Sequence, residues 1–294
     1  MRSAFIEELV LLAEQHEHIA LIVGDLGYSV VEPFADLFPE RFINAGVAEQ
    51  NMTGMAAGMA SEGYHVFTYS IANFPTFRCA EQIRNDVDYQ QQAVTVVAVG
   101  GGLSYGPLGY SHHAVQDFAL MRTMPNTLIA APGDPVETRA CLRYLVENPQ
   151  PSYLRLGKSG EPRFHEKVPE LAPGRWLPVS TAGKSLEKRL LSTGATLGMA
   201  LEMQQTPDYC EYSVFSLPLW SMKTKSLQPA QVSTASHVVT LEDHLVDGGF
   251  GSWLMESLSD SPDLRGRLQS RALDSIVCGL VGSQKALNKQ GGLA

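Results

Sequence analysis

Phe42-Ile-Asn-Ala-Gly-Val-Ala-Glu-Gln-Asn51 runs directly into Met52-Thr-Gly-Met-Ala-Ala-Gly-Met-Ala60. The first residues read as a strand at Arg41 to Ala45, and a helix follows from about Ala48. That helix is built almost wholly from Gly, Ala, Thr and Met, small enough to let another helix approach closely, so it is expected to be buried at a core or subunit interface. A carboxylate, Glu49, opens it. An unpaired buried carboxylate is costly, so Glu49 needs a partner; the plainer role for an acid at this place is to cap the helix.

The same alternation extends in both directions. Phe5, Ile6, Leu9, Val10 and Leu12 follow helical spacing, and Ile19 to Val23 is a continuous apolar run stopped by Gly24 and Asp25. Further strands read at His65 to Tyr69, Ala93 to Val99, Thr127 to Ala131 and Tyr153 to Leu156, with helices reaching about Asp88 and spanning Asp134 to Val146. Apolar strands separated by helices mean a parallel sheet covered on both faces. Ligands then bind beyond the carboxyl ends of the strands, so the loops after strands carry the chemistry.

At roughly 100 to 200 residues per domain, a chain of 294 residues should hold two domains. From 159 to 184 the pattern lapses into Pro162, Pro169, Pro173 and Pro178 with glycines and mixed charge, a linker composition. Beyond it Arg189 to Thr193, Tyr212 to Ser216 and His237 to Leu241 read as strands of a smaller α/β domain. The expected organisation is thus α/β: domains at 1–158 and 185–294, each a mainly parallel sheet flanked by helices.

A net charge of −9 disfavours nucleic acid and anionic membrane as partners. No apolar run approaches the ~20 residues of a membrane span, and no leader pattern precedes the first helix. Cys79, Cys141, Cys210 and Cys278 lie far apart without a C-x-x-C pair, which points to reduced core thiols of a cytoplasmic protein rather than a zinc site or disulfide scaffold.

Two loops put polar groups and bendable backbone at the same end of the sheet: Gly24-Asp-Leu-Gly27, and Gly100-Gly-Gly-Leu-Ser-Tyr-Gly-Pro-Leu-Gly-Tyr-Ser-His-His113. Neither is a dinucleotide or P-loop signature. The plain expectation for His112 and His113 is one satisfied and one solvated ring; zinc lacks a third ligand at recognisable spacing, and no metal ligands are assigned. Ile71-Ala-Asn-Phe-Pro-Thr-Phe77 spaces large apolar groups at 71, 74 and 77 with Arg78 directly after. Such spacing suits helix core, or a wall for a flat heterocycle at ~1 kcal/mol per ring contact.

Gly24-Asp25-Leu26, the Gly-Val-Ala-Glu-Gln segment, the aromatic stretch ending in Glu81-Gln82-Ile83-Arg84-Asn85 and the Ser-His-His loop together resemble the pyrimidine-binding half of transketolase-type thiamine diphosphate enzymes. Val239-Thr-Leu-Glu-Asp-His244 with Gly248-Gly249 is similar to the transketolase C-terminal domain. The resemblance implies that Glu49 hydrogen-bonds N1′ of the aminopyrimidine, so that its 4′-imino tautomer takes the proton from thiazolium C2. Phe74 and Phe77 match positions that wall the pyrimidine, and Ile71 stands where many members have another aromatic. His112 matches a histidine near the reacting carbon, and Asp25 an acid facing the cofactor across the interface. Arg78, Gly100, Leu108, His113 and Lys158 fall to the substrate channel. There Leu108 replaces an Asp that reads donor hydroxyls, Gly100 a histidine, and Lys158 a phosphate-binding Arg.

The family holds diphosphate and Mg²⁺ on a domain carrying Gly-Asp-Gly and a downstream Asn. That triplet is absent here. The resemblance therefore implies one subunit of a split enzyme, an α2β2 heterotetramer with a diphosphate-binding partner that supplies the Mg²⁺ site. Small sugar or keto substrates are implied, in specialised sugar or secondary metabolism. The alternatives are the β subunit of a 2-oxo acid dehydrogenase, whose acidic segment reads Thr-Pro-Ile-x-Glu, and a non-catalytic scaffolding subunit.

Overall fold

Among the described residues, 1–158 and 160–293 of a computed structural model, the strands form two mainly parallel sheets flanked by helices. The first takes β1 (Ile19–Val23), β2 (Phe42–Asn44), β3 (His65–Ile71), β4 (Val94–Val99), β5 (Leu128–Ala130) and β6 (Ser152–Leu156). They lie in the order β5-β6-β4-β3-β1-β2, all parallel. The continuous apolar runs follow from burial on both faces: within β1, Ala20 and Ile22 join one core with Met52 and Val66, while Ile19, Leu21 and Val23 join another with Phe5 and Leu9. The chain leaves β1 toward β2 on one side and continues to β3 on the other. Loops after β1 and β3 therefore part at a switch point, opening a crevice at their carboxyl ends.

The second sheet holds β7 (Leu177–Ser180), β8 (Ser185–Ser192), β9 (Tyr212–Ser216), β11 (His237–Leu245) and β12 (Leu268–Leu273), in the order β12-β11-β8-β9-β7. Only the edge strand β7 runs antiparallel to its neighbour in this sheet. Between β9 and β11, the two-residue β10 (Leu219–Trp220) returns to the first sheet and pairs antiparallel with β5. This carries Trp220 into a buried aromatic group, its ring 5.2 Å from Phe118 and 5.1 Å from Trp253, while Nε1 donates to Thr193 Oγ1 at 3.0 Å.

Several expectations are corrected. The stretch expected as linker begins at Ser159, outside the described residues, and contains β7, where an edge position tolerates Pro178. The helix expected to reach Asp88 breaks into Phe74–Phe77, Ala80–Gln82 and a π-helical turn at Ile83–Asp88, in which the Tyr89 amide bonds Arg84 O. The expectation for helix Glu49–Ser61 is not overturned: it buries Met52, Ala56 and Ala60 in the core and leaves Asn51, Gly54 and Gly58 exposed in the single chain. Cys79 and Cys141 are core thiols, whereas Cys210 is exposed and Cys278 half-buried, both lying in the second half of the chain. No helix among the described residues is long and apolar enough to cross a membrane.

Candidate active site

The helix that begins at Glu49 follows the carboxyl end of β2, so its first turn faces the crevice. The carboxylate is buried, and the bond it makes is not a cap: Arg78 donates from Nη1 to Glu49 Oε2 at 2.9 Å. Arg78, expected in the substrate channel, has its guanidinium carbon 4.3 Å from the centre of the Phe74 ring. Its side chain is half-exposed, and Gln50 Nε2 bonds its carbonyl at 2.9 Å.

Phe74 is half-buried and Phe77 is 48% exposed, so the spacing at 71, 74 and 77 does not make a helix core. Ile71 ends β3, half-buried. His112 is also half-buried; its ring meets the Phe74 ring edge-on at 5.3 Å, and Nδ1 lies 3.0 Å from Ser111 Oγ. His113 points inward, fully buried, with Nε2 3.2 Å from Gly106 O, because the loop turns back there to pair Ala114 with Gly102. Leu108 stands exposed on the outer turn of the loop.

Asp25 adopts a left-handed backbone (φ 55°) at the end of β1. Hydrogen bonds from Asn44 Nδ2 and Tyr28 Oη, both at 3.0 Å, hold its carboxyl below the ordinary value. Gly100 is sterically required, since a Cβ there would collide with the Tyr105 ring. Lys158 is exposed, 5.8 Å from that ring, beside a cavity of about 480 Å³ that Lys285 and Asn288 also line. The structure thus gathers Glu49, Phe74, Phe77, Arg78 and His112, and leaves Lys158 one ring further out.

Two cavities open at this cluster. One of about 400 Å³ is lined by Val47, Glu49, Asn51 and Arg78. The other, about 340 Å³, is lined by Phe74, Phe77, Tyr110, Ser111 and again Arg78.

Sequence reasoning missed what holds the glycine-rich loop. Arg155, on β6, is fully buried and donates from Nε to Asp117 Oδ2 at 2.6 Å, from Nη1 to Asp243 Oδ1, and from Nη2 to Ala114 O at 2.8 Å. Tyr153 Oη adds a 2.6 Å bond to Asp117. A Cβ on Gly101 would lie 2.6 Å from the Arg155 guanidinium, and one on Gly102 would overlap the Asp243 carboxylate. The glycines are there because charged groups of both halves press against the loop. An arginine inside the buried run Tyr153-Leu-Arg-Leu156 was the available signal.

The fold and this site define a two-domain α/β protein with a buried carboxylate and exposed aromatic rings at the carboxyl edge of its larger sheet. Residues 1–162 match the family model described as "Transketolase, pyrimidine binding domain". The chain is 31% identical over 265 residues to an apulose-4-phosphate transketolase subunit of Phocaeicola vulgatus, covering 89% of this chain and 84% of that protein. It is 28% identical over 299 residues to the corresponding apulose-4-phosphate transketolase subunit of Actinobacillus succinogenes, covering 100% and 94% respectively. A solved structure described as "Split gene transketolase, inactive beta4 tetramer" matches 100% of this chain and 93% of its own with a TM-score of 0.85 at 31% identity. The chain belongs to the transketolase family. Membership of that family implies dependence on thiamine diphosphate.

The residues present fit the aminopyrimidine of that cofactor. Ser70 Oγ is buried without a hydrogen-bond partner, and a methyl group built on Gly24 would stand 3.6 Å from it and 3.7 Å from Glu49 Cγ. The unsatisfied hydroxyl can donate to a ring nitrogen, and the Glu49 carboxylate can accept from an amine or a protonated ring nitrogen, as an aminopyrimidine requires.

Proposed function

We propose that the chain is the pyrimidine-binding and C-terminal subunit, its first domain at 1–158 and its second running from β7 onward, of a split thiamine diphosphate enzyme. It moves a two-carbon ketol or acyl unit between small sugar or keto substrates. The observation that carries this reading is Glu49, a buried carboxylate linked through Arg78 to the half-buried ring of Phe74 at the sheet's carboxyl edge. Such a carboxylate is costly unless a partner is provided for it.

Thiamine diphosphate would supply a nucleophilic thiazolium carbon there. Glu49 binds and exchanges a proton at the pyrimidine N1′, and Phe74 and Phe77 orient the ring and exclude water from it. Half-buried but accessible, His112 is held by Ser111 and Phe74 and moves a proton at the substrate oxygen. The exposed, uncharged Leu108 and the cation of Lys158 bear on which substrates enter.

A partner chain with Gly-Asp-Gly and a downstream Asn supplies the diphosphate and Mg²⁺ clamp in an α2β2 assembly in the cytoplasm. The subunit names of the relatives support a split enzyme. So does the exposed small-residue face of helix Glu49–Ser61, which is open to a neighbouring helix. Calorimetry tests this: thiamine diphosphate with Mg²⁺ should bind the reconstituted pair and not the isolated chain, since a site assembled from two subunits is linked to their association. Tight binding to the isolated chain would overturn the split-site reading.

A further inference from the structure

Two of the contacts assigned above to the aminopyrimidine, the Glu49 carboxylate and the Phe74 ring, are taken in this structure by Arg78. Its guanidinium is planar, donates to Glu49 Oε2 at 2.9 Å and lies over the Phe74 ring at 4.3 Å. A flat, nitrogen-rich heterocycle that meets Glu49 at Oε2 and stacks on Phe74 would compete with Arg78 for both contacts. Arg78 also lines both cavities, the one of about 400 Å³ at the Glu49 corner and the one of about 340 Å³ at the Phe77–Ser111 corner.

We propose that Arg78 is a gate: it fills the pyrimidine's place in the empty chain, and its swing away from Glu49 joins the two cavities into one site. This rests on the reading of Glu49 as the pyrimidine acceptor. The gate has two consequences. While the site is empty, it keeps the buried carboxylate paired, so the chain avoids the cost of an orphaned charge. It also makes any ligand of this corner compete with an internal one, which lowers affinity until further contacts outweigh the exchange.

The side chain has room to move, since its outer half is exposed. Its backbone is tied down by the Gln50 Nε2 bond to Arg78 O, and the buried Thr76 Oγ1 bonds Ala72 O at 2.8 Å in the turn before it. Rotation about the side-chain torsions suffices, with the helix left in place.

The test uses the full chain alone with 4-amino-5-hydroxymethyl-2-methylpyrimidine as probe, titrated by ligand-observed NMR. Arg78→Ala should bind the probe roughly tenfold more tightly than wild type, the size expected for removing one half-exposed ion pair and one cation–ring contact. The double variant Glu49→Gln with Arg78→Ala should lose most of that gain. Equal or weaker binding by Arg78→Ala, with Glu49→Gln still weakening binding, would overturn the gate and leave Glu49's role standing. If instead Glu49→Gln leaves the probe affinity of Arg78→Ala unchanged, Glu49 is not the acceptor and both readings fail. Should Arg78→Ala melt far below wild type, Arg78→Lys serves, since an ammonium keeps the charge but not the plane that mimics a ring; it should gain about twofold to threefold, and no gain would again overturn the gate.

Discussion

Replacing Arg155 by Met is expected to cost the fold ~3–5 kcal/mol, the range measured when one partner of a buried ion pair is removed and the other left behind. The structure sets the upper part of that range. Arg155 is the hydrogen-bonded counter-charge of two carboxylates, Asp117 and Asp243, which are themselves buried. It also satisfies Ala114 O at 2.8 Å and lies 4.4 Å above the Phe118 ring. Methionine can fill most of the volume but satisfies none of these groups. At ~2–4 °C per kcal/mol for a chain of this size class, the melting temperature should fall by roughly 6–20 °C. Differential scanning calorimetry reads this directly. The triple variant Arg155→Met, Asp117→Asn, Asp243→Asn separates lost charge pairing from lost packing: with the stranded charges gone, at least half of the deficit should return. Arg155 also packs against Gly101 and bonds Ala114 O, so amide exchange between Leu103 and His113 should quicken in the single variant. A melting temperature within about 2 °C of wild type would refute the reasoning, because it would mean that two buried carboxylates tolerate the loss of their common cation.

Two further outcomes are expected. Burial pushes the Glu242 carboxyl up to about 8 from an ordinary 4.5, against the pull of the Gly251 and Phe250 amides that it accepts. The folded chain keeps this proton where the unfolded chain loses it, so the group's contribution is full below the unfolded value and is lost as pH rises toward 8. The melting temperature of wild type minus that of Glu242→Gln should therefore shrink from pH 5 to pH 8.5; a difference independent of pH would show that the carboxyl ionises freely in the fold. In the reconstituted enzyme, His112→Ala should lower turnover by roughly 10² with cofactor affinity unchanged, as for loss of a proton-transferring group; steady-state assays with calorimetry would contradict this if affinity, not turnover, were what fell.

What could be read from the sequence was what is local. Ile19 to Val23 and Val94 to Val99, apolar but for Thr95, announce strands because burial on both faces calls for apolar side chains almost throughout, and Asp134 followed by Pro135 marks a helix start whose cap bonds to Val136 and Glu137 are present. Strands β7, β10 and β12 were not legible for the complementary reason. Leu268-Gln-Ser-Arg-Ala-Leu273 lies at a sheet edge, mostly half-exposed, and so alternates weakly, while Leu219–Trp220 is too short to have a period and is a strand only because β5 lies beside it. Glu49 stood out as an acid opening a helix of small residues, but its present partner lies 29 residues away, beyond any spacing rule. The three consecutive glycines at 100–102 show how this gap arises. In the sequence they read as flexibility. In the structure each is fixed by a neighbour that approaches too closely for a Cβ: Tyr105 from the loop itself, Arg155 from the first sheet and Asp243 from the second. A loop so held has a defined place for His112, and that place depends on a contact between the two halves of the chain that no window of sequence contains.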